Sequence, residues 1–261
     1  SDQLNFRVQA FDRDGRFLRQ IGRLGDSPGS FTRPKGLAVD AEGHVYVVDA
    51  AFNNVQVFDG EGHLLIAFGS LGHGGGEHWL PVGIAIDATG RILVADRYNN
   101  RVLRWGSATK MADGSSAEAV LGQPDFTTFS NGLSATKMND PLRAHVDGSG
   151  RLWVSDYANN RVLRFDNATS KASGAPADAV LGQLNFTTGG SGTTAGNMYR
   201  PVGVFTDDAG RLWVSDRLNH RVLRFDDAAA KADGANANGV LGQAGFTSGT
   251  SGLSATRMNR P

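Results

Sequence analysis

Cysteine is absent from the 261 residues, which excludes disulfide bonds, thiolate metal sites and thiol nucleophiles. No apolar run approaches the roughly 18 residues that a membrane-spanning helix needs, so we expect no transmembrane segment. A net charge is also missing, because 26 basic side chains balance 26 acidic ones. Since nucleic-acid binding depends on clustered Lys and Arg, this balance argues against a nucleic-acid partner.

The chain also lacks a convincing amphipathic helix, while glycine is abundant at 35 residues. The glycines recur at regular intervals between short segments rich in β-branched and aromatic residues. Glycine supplies the positive φ angles of hairpin turns, so we interpret this composition as turn punctuation and not as disorder.

A repeat organises the whole chain. The pattern Pro-x-x-apolar-x-x-Asp starts at Pro34, Pro81, Pro141 and Pro201, so the spacings are 47, 60 and 60 residues. The stretches RLWVSDYANNRVLRFD (151–166) and RLWVSDRLNHRVLRFD (211–226) share 13 of 16 letters. Repeats of this length are typical of solenoids and propellers.

Within each unit the hydrophobic period is two. GIAIDATGRILVAD (83–96) predicts a strand, a turn at Gly90 and a second strand. The Asp-Arg-Tyr-Asn-Asn turn leads to a third strand, and the later AVLGQ segment is a short fourth strand. Four antiparallel strands per unit predict an all-β fold, a β-propeller of four-stranded blades.

The turn sequences carry a family resemblance. VADRYNNRVLRW, VSDYANNRVLRF and VSDRLNHRVLRF resemble NHL repeats, which are named for an Asn-His-Leu motif at this turn. The resemblance covers essentially the whole chain. It implies a propeller, most often of six blades, and the VLGQxxF segments with Gly/Ser/Thr-rich crossovers are similar to bacterial NHL arrays.

We interpret residues 1–261 as a single propeller domain with about five blades, one of them incomplete. Residues 1–33 form an outer half-blade, and the blades span residues 34–80, 81–140, 141–200 and 201–261. One inner hairpin would close a five-bladed ring, and a longer natural chain would make six blades. Because open strand edges recruit other chains, we expect either part of a longer protein or self-association through the open edge.

The repeated polar residues are predicted to be structural. An Asp at the second turn and the Asn that follows it bond their own backbone in tight turns. These turn residues are Asp49, Asp96, Asp156 and Asp216, with Asn99, Asn159 and Asn219. Asp40, Asp87, Asp147 and Asp207 close the inner strands. A ring of carboxylates around a cation is the alternative for them, but a catalytic site normally breaks a repeat, and these residues preserve it.

Departures from the repeat are better candidates for function. Arg143 and His145 stand where the other inner strands carry Gly36 and Ala38, Gly83 and Ala85, or Gly203 and Phe205, and we predict that they orient an anionic or polar ligand at the channel mouth. His73, Glu77 and His78 have a spacing that metal ligands can have, but they lie in a glycine-rich loop, and a metal site prefers rigid elements. We therefore expect no metal and no cofactor.

These residues favour a non-catalytic scaffold that presents loops to a protein, glycan or small-molecule ligand. The resemblance to bacterial arrays implies a secreted or cell-surface location, or a periplasmic one. The resemblance also leaves an enzyme as the alternative, because some NHL-like propellers are lyases and similar lactonase-type propellers hydrolyse esters. That alternative needs a channel-mouth site completed by residues outside this chain, since Arg143 and His145 alone do not make a catalytic set.

Overall fold

The computed structural model describes residues 1–261 and is built almost entirely from β-strands. The strands are β1 (Val8–Phe11), β2 (Phe17–Ile21), β3 (Pro34–Val39), β4 (Val45–Asp49), β5 (Asn54–Phe58), β6 (Leu64–Phe68), β7 (Pro81–Ile86), β8 (Arg91–Asp96), β9 (Arg101–Ser107), β10 (Ala119–Leu121), β11 (Pro141–Val146), β12 (Leu152–Asp156), β13 (Arg161–Phe165), β14 (Ala179–Leu181), β15 (Pro201–Thr206), β16 (Leu212–Asp216), β17 (Arg221–Phe225) and β18 (Gly239–Leu241). The helical segments are 3-10 turns of three residues at Gln3–Asn5, Ala108–Lys110, Tyr157–Asn159, Arg217–Asn219 and Ala228–Ala230. No helix has the length and apolar character needed to cross a membrane.

The strands form four antiparallel four-stranded sheets and one two-stranded sheet. We call β1–β2 the half-blade, β3–β6 blade 1, β7–β10 blade 2, β11–β14 blade 3 and β15–β18 blade 4. In each blade the strands are adjacent in space in the order in which they occur in the chain. The prediction of an all-β propeller of four-stranded blades is therefore confirmed.

Each inner strand begins at the repeated proline and opposes the repeated Asp of the second strand. In blade 2, Pro81 pairs with Asp96, and a register shift brings Gly83 opposite Ala95. Proline has no N–H to give to a sheet, so the first position of a strand beside a bulge suits it. The turn that follows the inner strand uses Gly90 at a φ of 79°, as expected for a hairpin glycine.

Successive blades stack around a common axis, with inner strands β3, β7, β11 and β15 in sequence along its side. Side chains from adjacent blades share cores between the sheets. Trp105 of blade 2, for example, is fully buried and packs against Phe68 of blade 1, with ring centroids 5.1 Å apart. Truncating a fully buried side chain of this size costs about 3–5 kcal/mol, so contacts between blades contribute substantially to stability.

Two inner-strand glycines permit this close stacking. A Cβ on Gly36 would lie 2.5 Å from the Val82 carbonyl oxygen of the next blade, and one on Gly83 would lie 2.6 Å from that of Leu142. Both distances are far below van der Waals contact. The backbones of neighbouring inner strands are therefore in direct contact at these two glycines.

Blade 4 buries one face more completely than the other. Strands β16 and β17 bury alternate residues, whereas β12 of blade 3 buries all five. Leu241, the last residue of β18, is 51% exposed, whereas the matching Leu181 is 1% exposed. A blade covered on both faces has no such exposed position.

Candidate functional site

The repeated second turn is held by a buried ion pair. Asp156 accepts hydrogen bonds from Arg161 Nε at 2.7 Å, from the Asn159 amide at 2.9 Å and from the backbone N–H of Asn139 at 2.7 Å. The side chains of Asp156 and Arg161 have no exposed surface. Burial raises the pKa of Asp156, and the Arg161 charge acts in the opposite direction.

The arginine of this pair bonds to several carbonyls inside the protein. Arg161 Nη1 donates to the Phe186 carbonyl at 2.6 Å, and Nη2 donates to the carbonyls of Ser134 and Lys137, each at 2.9 Å. Asp96–Arg101 and Asp216–Arg221 repeat this pair in blades 2 and 4. Asn99 and Asn219 bond to their aspartates as Asn159 does. Four of the five N–H donors of Arg161 have partners, and the side chain has no exposed surface from which to contact a ligand.

Blade 1 replaces this arginine by Asn54, and its aspartate has other partners. Asp49 accepts hydrogen bonds from the backbone N–H groups of Thr32 at 2.7 Å and Ala51 at 2.9 Å. The carboxylate is fully buried here as well. In all four blades the second-turn aspartate is thus turned inward.

The aspartates that close the inner strands also bond within their own blades. Asp147 Oδ1 accepts from the N–H groups of Ser149 and Arg151, and Asp40, Asp87 and Asp207 cap equivalent turns. The Trp213 indole N–H and the Arg211 side chain hold the pKa of Asp207 at about 2. These four carboxylates do not converge on a shared point. A smaller group, Asp40, Glu42 and His44, does converge, but Asp40 is already bonded to His44 and Tyr46.

Arg143 and His145 reach different neighbours. Arg143 Nη1 lies 3.3 Å from the Val82 carbonyl of blade 2, whereas His145 Nε2 lies 2.7 Å from Thr206 Oγ1 of blade 4. Arg143 has no carboxylate partner, and burial lowers the pKa of both side chains. The structure therefore places the two residues at separate contacts.

Arg143 belongs to a group of cations at the end of the axis where the inner strands begin. Burial lowers the pKa of Lys35, and the charges of Arg33 and Arg143 lower it further. Lys35, Arg97, Arg143, Arg200 and Arg217 are called the basic mouth below. Among these cations Arg97 has a carboxylate partner, Asp140.

The basic mouth draws on blades 1 to 4. Arg200 and Arg217 both lie 3.3 Å from the Tyr157 hydroxyl, and the Arg200 guanidinium packs 5.0 Å from the centre of that ring. The sequence does not show that these cations lie together, since they occupy several different repeat positions. Among them only Arg97 and Arg217 share one repeat position, directly after the second-turn aspartate, and that is the one sequence signal that could have indicated this group.

The weak metal candidates do not come together. His73 Nδ1 lies 2.6 Å from Asn99 Oδ1 and its ring stacks on Phe129, while Glu77 accepts from the Gly74 N–H at 2.7 Å. His78 is fully buried beside Trp105. The ligand atoms of these three side chains do not meet at one point, whereas those of Asp40, Glu42 and His44 do.

His78 performs a task that glutamine performs elsewhere. His78 Nδ1 donates to the Asn53 carbonyl at 3.1 Å. Gln123 and Gln183 donate to the corresponding carbonyls of Asn100 and Asn160, each at 3.0 Å. Blade 1 has Ser70 at the glutamine position, so the histidine supplies the missing donor.

We expect His78→Met, which introduces the residue that blades 2 to 4 carry here, to lower the free energy of unfolding by about 1 kcal/mol, since Asn53 loses its donor. Burial lowers the pKa of His78, so the unfolded chain binds the extra proton first. Wild-type stability therefore falls as pH drops below the ordinary histidine value, and this loss is smaller in the variant. Urea denaturation between about pH 7 and 5 measures both effects.

Ser70→Gln in the His78→Met background provides the control. The added amide restores a donor for Asn53, so we expect part of the lost stability to return. Unchanged stability and an unchanged pH profile in His78→Met would contradict this role.

The comparisons with known proteins agree with this architecture. The NHL repeat family model matches residues 31–58 and 79–105, which lie in blades 1 and 2. NHL repeat-containing protein 3 of Homo sapiens and that of Mus musculus are each 29% identical over 110 residues, which is 41% of this chain. The match spans 27% of the length of each of these relatives.

Solved structures share the fold at low identity. A streptogramin B lyase structure superposes with a TM-score of 0.58 at 16% identity, covering 87% of this chain and 61% of the lyase chain. The U3-55K structure gives 0.59 at 12% identity, over 86% of this chain and 56% of its own. The RRP9 WD40 repeats give 0.60 at 11% identity, over 88% and 56%. Likeness at this level shows the fold alone.

Proposed function

We propose that the chain is a non-catalytic binding scaffold built on NHL repeats, which the family model matches in blades 1 and 2. Its ligand is an acidic segment of a partner protein, bound at the basic mouth. The observation that carries this proposal is the gathering of cations at one end of a chain whose net charge is zero. Clustered charges of one sign attract the opposite sign and steer its approach.

Two members of the basic mouth are suited to contact the ligand directly. Arg143 has no ion-pair partner, and Lys35 donates only to the Gln3 side chain at 2.6 Å. Arg97 is paired with Asp140, while Arg200 and Arg217 lie against the Tyr157 hydroxyl. A guanidinium and an ammonium that are partly withdrawn from water form strong hydrogen bonds to carboxylates.

The proposal favours an acidic protein segment over nucleic acid. A phosphate backbone needs many cations spread along its length, whereas only two cations of the basic mouth, Lys35 and Arg143, bond to neither a carboxylate nor the Tyr157 hydroxyl. The repeat's resemblance to bacterial NHL arrays supports a secreted or cell-surface location, and a glycan ligand stays open under the same proposal. Self-association through the open blade edge also stays a prediction.

The enzyme alternative has less support. A lyase or lactonase-like site needs several converging acid–base or metal-binding groups. Arg143 and His145 contact different blades, and the repeated aspartates bond within their own turns. A catalytic site would therefore have to draw on residues beyond those described.

Fluorescence anisotropy with a labelled hexaglutamate peptide tests the basic mouth. Arg143→Gly and Lys35→Val introduce the residues that other blades carry, Gly83 and Val82, so the fold should tolerate both. We expect each change to weaken binding about tenfold, because a charge-assisted hydrogen bond is lost. Added salt should weaken binding by the parent chain more than binding by the double variant.

Lys110→Ala is the matched control, because it removes an exposed cation that lies in another cleft, beside Asp87. Unchanged affinity in Arg143→Gly and Lys35→Val would overturn the proposal. So would tighter binding of a hexaribonucleotide that depends on the same two residues, since it would make the mouth a nucleic-acid site.

A further inference from the structure

A cleft lies between blades 3 and 4, at the end of the inner strands opposite the basic mouth. Its volume is about 630 Å³, within the usual range of small-molecule sites. The hairpin turns after β11 and β15 form two sides, and the turn at Ala228–Ala230 forms a third. His145, Trp153, Phe205, Asp208 and Asp227 are the lining residues that matter most.

One wall of the cleft is aromatic. The His145 and Phe205 rings lie 5.1 Å apart at an angle of 48°, and the buried Trp153 indole continues the wall. Burial lowers the pKa of His145, so the imidazole is neutral near pH 7. The wall therefore offers ring faces and no positive charge, which suits the apolar body of a cation.

The other walls carry carboxylates, of which two are uncompensated. Asp147 pairs with Arg151 at 2.8 Å, and Asp207 with Arg211 at 2.7 Å. Asp208 and Asp227 are exposed and make no side-chain hydrogen bond or ion pair. Since Arg151 is the sole cation among the lining residues and is already paired, the cleft has a negative field.

Apart from Trp153, which Trp213 repeats in blade 4, the lining residues named above are departures from the repeat. His145 stands where the inner strands of blades 1 and 2 have Ala38 and Ala85. Asp208 follows Asp207, at the place where Gly148 follows Asp147, and Asp227 matches Asn167. The fold does not require these side chains, because other blades form without them. Their meeting at one cavity is thus separate from the architecture.

We propose that the cleft between blades 3 and 4 binds a small organic cation, an amine or quaternary ammonium with an apolar body. The aromatic wall takes the apolar body, and Asp208 and Asp227 take the charge. This site is distinct from the basic mouth and is independent of the function proposed for it. With exposed carboxylates, affinity should be on the order of 1 mM.

NMR titration with benzyltrimethylammonium tests the site. We expect the indole N–H resonance of Trp153, assigned from Trp153→Phe, to shift and saturate, while benzyl alcohol and benzoate cause little shift. The Asp208→Asn/Asp227→Asn double variant should bind about tenfold more weakly. His145→Ala, the residue found in blades 1 and 2, should weaken binding by removing one ring.

Asp26→Asn is the matched control, since Asp26 is an exposed carboxylate of another blade. Circular dichroism of each variant checks that the fold is retained. The proposal is overturned if benzyl alcohol binds as well as the cation, if the double variant binds as tightly as the parent, or if the Trp153 resonance does not move.

Discussion

Arg161→Leu is expected to lower the free energy of unfolding by about 3–5 kcal/mol, the typical cost of leaving a buried charge without its partner. Asp156 would keep its carboxylate in a site without solvent, and the carbonyls of Phe186, Ser134 and Lys137 would lose their donor. Urea denaturation followed by tryptophan fluorescence measures the change.

The reason for so large an effect is that one guanidinium joins three separate segments. It connects the second turn to the loop before β11 and to the loop after β14. The double variant Asp156→Asn/Arg161→Leu removes the isolated charge as well. We expect it to be less destabilised than the sum of the two single changes.

Arg151→Ala supplies the matched control, because Arg151 pairs with Asp147 but is 30% exposed. Partly solvated pairs of this kind contribute at most about 1 kcal/mol. If Arg161→Leu lowers the free energy of unfolding no more than Arg151→Ala does, the buried pair is not what holds the turn.

Gly83→Ala should lower the free energy of unfolding by about 1–3 kcal/mol, the usual cost of overpacking a tight interior. The new methyl group would lie 2.6 Å from the Leu142 carbonyl oxygen and 2.8 Å from the Arg143 Cα. Both atoms belong to the backbone of blade 3, which cannot move without shifting the whole strand. Thermal or urea denaturation measures the effect.

Gly148→Ala is the appropriate comparison, because nothing lies within 4 Å of a Cβ at that position. We expect Gly148→Ala to change the free energy of unfolding by no more than about 0.5 kcal/mol. Equal stability of the two variants would mean that the inner strands are not in tight backbone contact, and the stacking of blades described above would need revision.

Much of the fold could be read from local patterns. The period-two segments predicted strands, and Gly90 marked a turn that does adopt a positive φ angle. Pro81 and Asp96 recur in every unit because they begin and end paired strands. Such features depend on residues close together in the chain, so a single sequence contains the information.

The candidate sites were less predictable. Arg143 was selected because it breaks the repeat, but its neighbours among the cations, such as Lys35 and Arg200, come from other blades at unrelated repeat positions. His78 was considered as a metal ligand, yet it replaces a glutamine donor in a buried turn. Neither fact follows from spacing along the chain.

The order of amino acids alone establishes the blade, its turns and the inward role of residues that every unit repeats, because hydrogen bonding and hydrophobic alternation act over a few residues. Which unrepeated side chains meet is established by the stacking of blades about the axis. That stacking brings together residues some 60 positions apart, such as His145 and Thr206, whose Nε2 and Oγ1 atoms are 2.7 Å apart. It also separates the basic mouth from the cleft between blades 3 and 4.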